Sequence, residues 1–228
     1  MKKVILSVFA VPFILAPAVI LAQAGMKPTA ATYITDEEVK TVNALPGVDR
    51  QIKVVDIGNE NFAVGIVHRG ATGAARGAAP AGGGAAGAGA AAGAGAGRGA
   101  PAAAEPCGMA STAPPTGATA GGISHDQQTE GYMIVSGGGT MVTGGHIMNG
   151  RKSGPTNEVT TTLNGPSCSG MIAGPDVVRK VVKTGDIVII PAGVPHGWAE
   201  ITDHVDYLSF RPSARVLEAG YVNPALKK

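Results

Sequence analysis

The chain has five histidines, and two of them, His125 and His196, stand where turns meet runs of strand-forming residues. His125 is followed by a polar stretch, Asp126 to Thr129, and then by Glu130 at the head of Glu-Gly-Tyr-Met-Ile-Val. If His125 closes one strand and Glu130 opens the next, both side chains can face the same side. Alternation along the second strand then puts Glu130, Tyr132 and Ile134 on one face and Gly131 and Met133 on the other. His196 follows a Pro/Gly turn, Pro191-Ala-Gly-Val-Pro195, at the start of its own strand. Two imidazoles and one carboxylate converging from separate strands make a facial triad for a divalent metal ion. Such a set leaves coordination positions open and favours Fe(II) or Mn(II), with Zn, Ni and Co as chemical competitors. An ion with open positions polarises a carbonyl or activates water or dioxygen. The competing reading is that both histidines are hydrogen-bonded barrel residues that hold no metal.

Other side chains surround this constellation. Tyr132 shares a face with Glu130 and is the candidate catalytic residue, a proton or hydrogen-bond donor beside the ion. Trp198 shares the face of His196 and would wall the pocket. Glu200 lies at a strand end, where glutamates usually point to water. His68 ends an apolar strand beside Arg69 and is a weak candidate for a further ligand, while His146 and His204 lie in polar, turn-like stretches.

Two spacings carry a family resemblance. The first is Gly117-x5-Ile123-x-His125-x4-Glu130-x6-Gly137, and the second is Gly185-x5-Pro191-x-Gly193-x2-His196. This pattern resembles the two motifs of the cupin superfamily over roughly residues 117–210. The resemblance implies a double-stranded β-helix, or jelly-roll, barrel with a divalent metal inside, held by His125, Glu130 and His196. It also departs from the family pattern. Ile123 stands where the first metal-binding histidine would be, and Glu200 stands at a position usually occupied by Asn. The resemblance is compatible with a homodimer.

The elements that must position these residues are short strands. Thr35 as N-cap and Glu38 three residues later form a capping box for a helix that starts at Asp36 and ends near Leu45, before Pro46-Gly47. Gln51–Ile57 and Phe62–His68 read as a hairpin. Further strands are expected over Tyr132–Val135, Thr140–Thr143, Glu158–Leu163, Val177–Val182, Asp186–Ile190, Gly197–Ile201 and Val205–Phe210, with an irregular excursion across 146–178. Many short strands with regular turns and no helical period between them predict an all-β sandwich or barrel. From Ala71 to Ala104 nearly every residue is Gly or Ala. Such a stretch buries too little apolar surface to offset its ordering entropy, so a disordered insertion is expected over 71–116. The Gly82-x-Gly84-x-x-Gly87 match within it has no strand before it and is chance in glycine-saturated sequence. A C-terminal tail is expected over 216–228.

Met1-Lys2-Lys3, an apolar run to Leu21 and Ala22-Gln23-Ala24 read as a cleavable signal peptide over 1–24. The expected location is therefore periplasmic or secreted, with no membrane attachment after cleavage. The leader holds two lysines and no acid, and the chain beyond it is formally neutral with no basic run. A nucleic-acid partner is thereby disfavoured. In an oxidising compartment the two cysteines, Cys107 and Cys168, are expected to pair and tie the end of the insertion to the 146–178 excursion.

These readings lead to an exported, metal-dependent cupin acting on a small polar molecule by oxygenase, isomerase or lyase chemistry. The rival is a non-catalytic barrel that binds a sugar or organic acid without metal, and a third is a structural envelope protein. The partner in either of the first two is a small molecule.

Overall fold

The computed structural model describes residues 28–72, 104–113, 116–213 and 216–227. The expected leader, 1–24, and most of the Ala/Gly tract lie outside these residues. Helix α1, Asp36–Asn43, carries the predicted capping box: Thr35 Oγ1 accepts from Glu38 N, and Glu38 accepts from Thr35 N. It stops two residues short of the expected Leu45, and its Val42 is fully buried with Ile52 and Ile66 beneath it.

Eleven strands follow, all paired antiparallel. They are β1 Asp49–Asp56, β2 Asn61–Gly70, β3 Pro106–Cys107, β4 Thr119–His125, β5 Glu130–Thr143, β6 His146–Lys152, β7 Ser167–Ala173, β8 Val178–Lys183, β9 Ile187–Ile190, β10 His196–Glu200 and β11 His204–Ser213. One ladder runs β1-β2-β11-β5-β9. A second runs β3-β6-β7-β4-β10-β5-β8. Strand β5 belongs to both. Its first half pairs with β9 and β11, and its second half pairs with β8 and β10. The crossing falls at Gly137-Gly138-Gly139. Gly137 has a left-handed φ of +68°, and a Cβ there would lie 2.0 Å from the His204 carbonyl oxygen. Only a residue without a side chain lets the strand change sheets so close to its neighbour. The result is a double-stranded β-helix barrel.

The core lies between the two ladders and alternates as the sequence pattern requires. Tyr132, Ile134, Met141, Ile190, Ile201, Val205 and Tyr207 are buried together, while Met133 and Val135 face out. A second cluster, Val142, Ile147, Cys168 and Ile172, lies under β6 and β7.

Four expectations need correction. The Tyr132–Val135 and Thr140–Thr143 segments are one strand, because the glycine run bends the chain without ending it. Glu158–Leu163 is not a strand: Val159–Leu163 forms a π-helical turn. Asn157 nucleates it, since its side chain accepts from Val159 N and its carbonyl from the Thr160 and Thr161 amides. Local side-chain chemistry thus overrides the β preference of three threonines. The 146–178 excursion contains β6 and β7, whose glycines and polar residues hide the strand period. Finally, the 71–116 segment is not structureless throughout, because β3 pairs with β6.

The C-terminal segment also packs on the barrel. Leu217 is buried, Lys53 bridges Val222, and Asn223 donates to the Gln51 carbonyl. A disulfide joins Cys107 to Cys168 across a Cα separation of 6.0 Å. Among the described residues no helix is long and apolar enough to cross a membrane.

Candidate metal centre

The antiparallel ladder brings three distant residues to one point inside the barrel. His125 is the last residue of β4, Glu130 the first of β5 and His196 the first of β10. The β4–β5 turn and the Pro/Gly turn before β10 are tied together where Gly193 N donates to the His125 carbonyl at 2.7 Å. One ligand atom from each of the three side chains lies within 4.8 Å of the other two. All three are buried.

The hydrogen bonds around each imidazole decide its tautomer. Ser167 Oγ donates its only proton to the Gly165 carbonyl, so it must accept from His125 Nδ1 at 2.8 Å. The His196 Nδ1 faces the Val194 carbonyl at 3.0 Å, and a carbonyl only accepts. Both rings therefore donate through Nδ1 and turn Nε2 inward, where a neutral ring carries its lone pair. The two Nε2 atoms lie 3.2 Å and 3.1 Å from the same atom, Glu130 Oε2. His125 Nε2 accepts from the Asn164 side-chain amide at 2.8 Å. His196 Nε2 has no hydrogen-bond partner, because its approach to Glu130 lacks the alignment of one. Burial is the first cause that pushes the His125 pKa down, which favours the neutral ring, and the neighbouring Glu130 opposes it.

Glu130 is held by both oxygens. Oε1 accepts from Asn164 Nδ2 at 3.1 Å, Ser209 Oγ at 3.0 Å and Arg211 Nε at 3.0 Å. Oε2 accepts from the Tyr132 hydroxyl at 2.7 Å, which leaves it one lone-pair direction facing the histidines. Burial raises the Glu130 carboxyl, but the charges and donors around it outweigh it and hold the group well below the ordinary carboxylate range, and with both imidazoles neutral Arg211 is the cation among them. Burial and the Glu130 charge push the Tyr132 hydroxyl well above its ordinary value, so it keeps its proton.

Arg211 is fully buried and spans two acids. It donates to Glu130, to Asp49 Oδ2 at 2.5 Å, to Gln51 Oε1 at 2.9 Å and to the Leu163 carbonyl at 3.1 Å. Arg211 is shared by Glu130 and the partly exposed Asp49, whose charge Arg50 and Arg69 also face. A lone-pair nitrogen without a partner, a second lone-pair nitrogen and a carboxylate oxygen surround one point beside Glu130. This donor set fits a divalent cation, and two imidazoles plus one carboxylate is a set that leaves positions open.

The residues expected at the site are brought together: His125, Glu130, His196 and Tyr132. Ile123 is buried and lies directly opposite His196 in the ladder, as an apolar neighbour. Trp198 stacks at a tilt on Tyr207, which in turn lies against Tyr132. Glu200 is exposed. His68 supplies no ligand: it lies on the surface and pairs with Asp206 at 2.6 Å. His146 is exposed, and His204 pairs with Asp203 and Ser136. Asn164, Ser167, Ser209 and Arg211 had no sequence signal, because each is an isolated polar residue whose partners come from other strands. Two surface hollows, of about 470 and 370 Å³, are lined by none of His125, Glu130, His196 and Tyr132, and the first takes in Glu200 and His204.

No family profile matches the chain, and no curated protein matches it. Among solved structures, it is similar to a conserved Klebsiella pneumoniae protein with a double-stranded β-helix domain. That similarity has 13% identity and a TM-score of 0.31 and covers 82% of this chain and 93% of the other. Peruvianin-I, a cysteine peptidase from Thevetia peruviana latex, is similar with 12% identity and a TM-score of 0.30, over 80% of this chain and 76% of that one. Neither similarity is strong enough to bear on the chemistry of the site.

Proposed function

We propose that this chain is an exported, metal-dependent cupin-type protein that acts on a small polar molecule inside its barrel. The observation that carries this reading is the convergence of the Nε2 atoms of His125 and His196 on Glu130 Oε2, all three residues buried. A divalent ion held by His125, Glu130 and His196 supplies Lewis acidity toward a carbonyl or oxyanion, or activates water or dioxygen. The chain's own residues set the conditions for it. Ser167 and the Val194 carbonyl fix both imidazole tautomers, the kind of orienting contact that supports metal ligands. Arg211 and Ser209 occupy Glu130 Oε1, so only Oε2 is free to act as a ligand. The Tyr132 hydroxyl oxygen lies 2.7 Å from that oxygen and donates its one proton to it. We assign it the orientation of Glu130, with its own lone pairs left to accept from a molecule bound beside it. The Cys107–Cys168 disulfide supports an oxidising compartment and therefore export.

Open coordination positions are the testable part. The Co(II)-loaded protein should show visible absorption that shifts when azide, a small exogenous ligand, is added. A Co(II) spectrum indifferent to azide would overturn the small-molecule reading.

A second reading, a barrel that binds its ligand without metal, draws on the Arg211–Glu130 ion pair, which already satisfies one carboxylate oxygen. It leaves the His196 Nε2 unexplained.

A further inference from the structure

We infer that Asn164 is a fourth protein ligand to the metal, standing in from another part of the chain for the residue that Ile123 does not supply. The inference rests on the metal reading above and goes beyond its three ligands. Asn164 follows the π-helical turn, and its amide nitrogen closes that turn by donating to the Val159 carbonyl at 2.7 Å. The wide turn drops the side chain into the barrel, where the residue is 7% exposed. Single π-type turns often mark functional positions. Its carboxamide end lies 2.8 Å from His125 Nε2 and 3.1 Å from Glu130 Oε1.

This contact cannot survive metal binding. The His125 Nε2 has one lone pair, and it cannot accept from Asn164 and bind a cation together. Loading must therefore break the Asn164–His125 hydrogen bond. A half-turn of the carboxamide about its last torsion exchanges Nδ2 for Oδ1 with little change in shape. It then presents a hard carbonyl oxygen to the place where the amide donated, and gives up the bond to Glu130 Oε1, which keeps Ser209 and Arg211 as donors. The same side chain serves both states: it caps the His125 lone pair without metal and offers an oxygen with it. Ile123, buried opposite His196, has no atom to give.

Mn(II) reads the assignment through its bound water. In six-coordinate Mn(II), four protein ligands leave one fewer water than three do. Water-proton relaxation of the Mn(II)-loaded wild type should give the lower hydration number, a measurement that needs no variant. Asn164→Ala should gain one bound water and lose affinity roughly tenfold. Asn164→Asp, which keeps an oxygen, should retain the wild-type hydration. A wild-type hydration number that fits only three protein ligands, or one that Asn164→Ala leaves unchanged, would overturn the assignment while leaving the three-ligand site standing. A wild type that takes up no Mn(II) would instead remove the metal reading and this inference with it.

Discussion

Glu130 and His125 are neighbours whose protonation the fold controls in opposite ways. Folding lowers both pKa values, so each contributes stability that is lost on acidification, but in different windows. For His125 the ordinary value is 6.5 and the folded value is lower, with burial as the main cause. Between the two, the unfolded chain binds a proton that the folded chain refuses, so stability is full above pH 6.5 and falls as pH drops through the folded value. Glu130 has an ordinary value of 4.5, and its contribution is lost only below that. Chemical denaturation of the chelator-treated protein should therefore show a decline below pH 6.5, limited to about 1.4 kcal/mol per pH unit for one proton. His125→Asn should flatten it. A wild-type profile that is flat from pH 7.5 to 5 would contradict the buried, neutral assignment of His125.

The elements repeat the lesson that local pattern is legible and long-range polar pairing is not. The capping box at Thr35 and Glu38, the alternation along β5 and the Pro/Gly turn before His196 are written in adjacent residues, and the structure has each of them. The same is true of the spacing that joins His125 to Glu130. By contrast, glycines and short polar runs hide β6 and β7, and Glu158–Leu163 has a strand's composition yet turns because Asn157 captures the following amides. Arg211 reaches Asp49, 162 residues away, and no periodicity reports such a partner. The disulfide was legible from composition and compartment, and the structure shows what it holds. It fastens β3, at the end of the Ala/Gly tract, to β7, whose Ser167 orients His125. On the chain-entropy relation, a cross-link over a separation of 61 residues is worth about 4 kcal/mol. Cys107→Ser/Cys168→Ser should lower the unfolding free energy by an amount of that order in urea titrations. A loss under about 1 kcal/mol would contradict the chain-entropy account of this cross-link.

At the scale of the whole molecule, two ladders that share β5 close around one polar point. Strand β5 passes from one sheet to the other at its glycine run, so that Met141 still packs in one cluster with Tyr132 while Val142 packs in the second with Ile147 and Ile172. Among the described residues the buried side-chain atoms without a partner are Asp49 Oδ1, Arg50 Nε, both polar atoms of Gln128 and His196 Nε2, and the last faces the carboxylate oxygen that retains a free lone pair. A ligand that binds only the folded chain stabilises it by mass action, so loading should also raise the melting temperature. Metal titration of the chelator-stripped protein, by calorimetry with elemental analysis of the product, addresses this most directly. The wild type should take up one divalent ion per chain. His125→Ala, Glu130→Ala and His196→Ala should each weaken that uptake by more than about a hundredfold, beyond the range seen for supporting residues. Stoichiometry and affinity unchanged in all three variants, or no uptake by the wild type, would contradict a metal centre at this site.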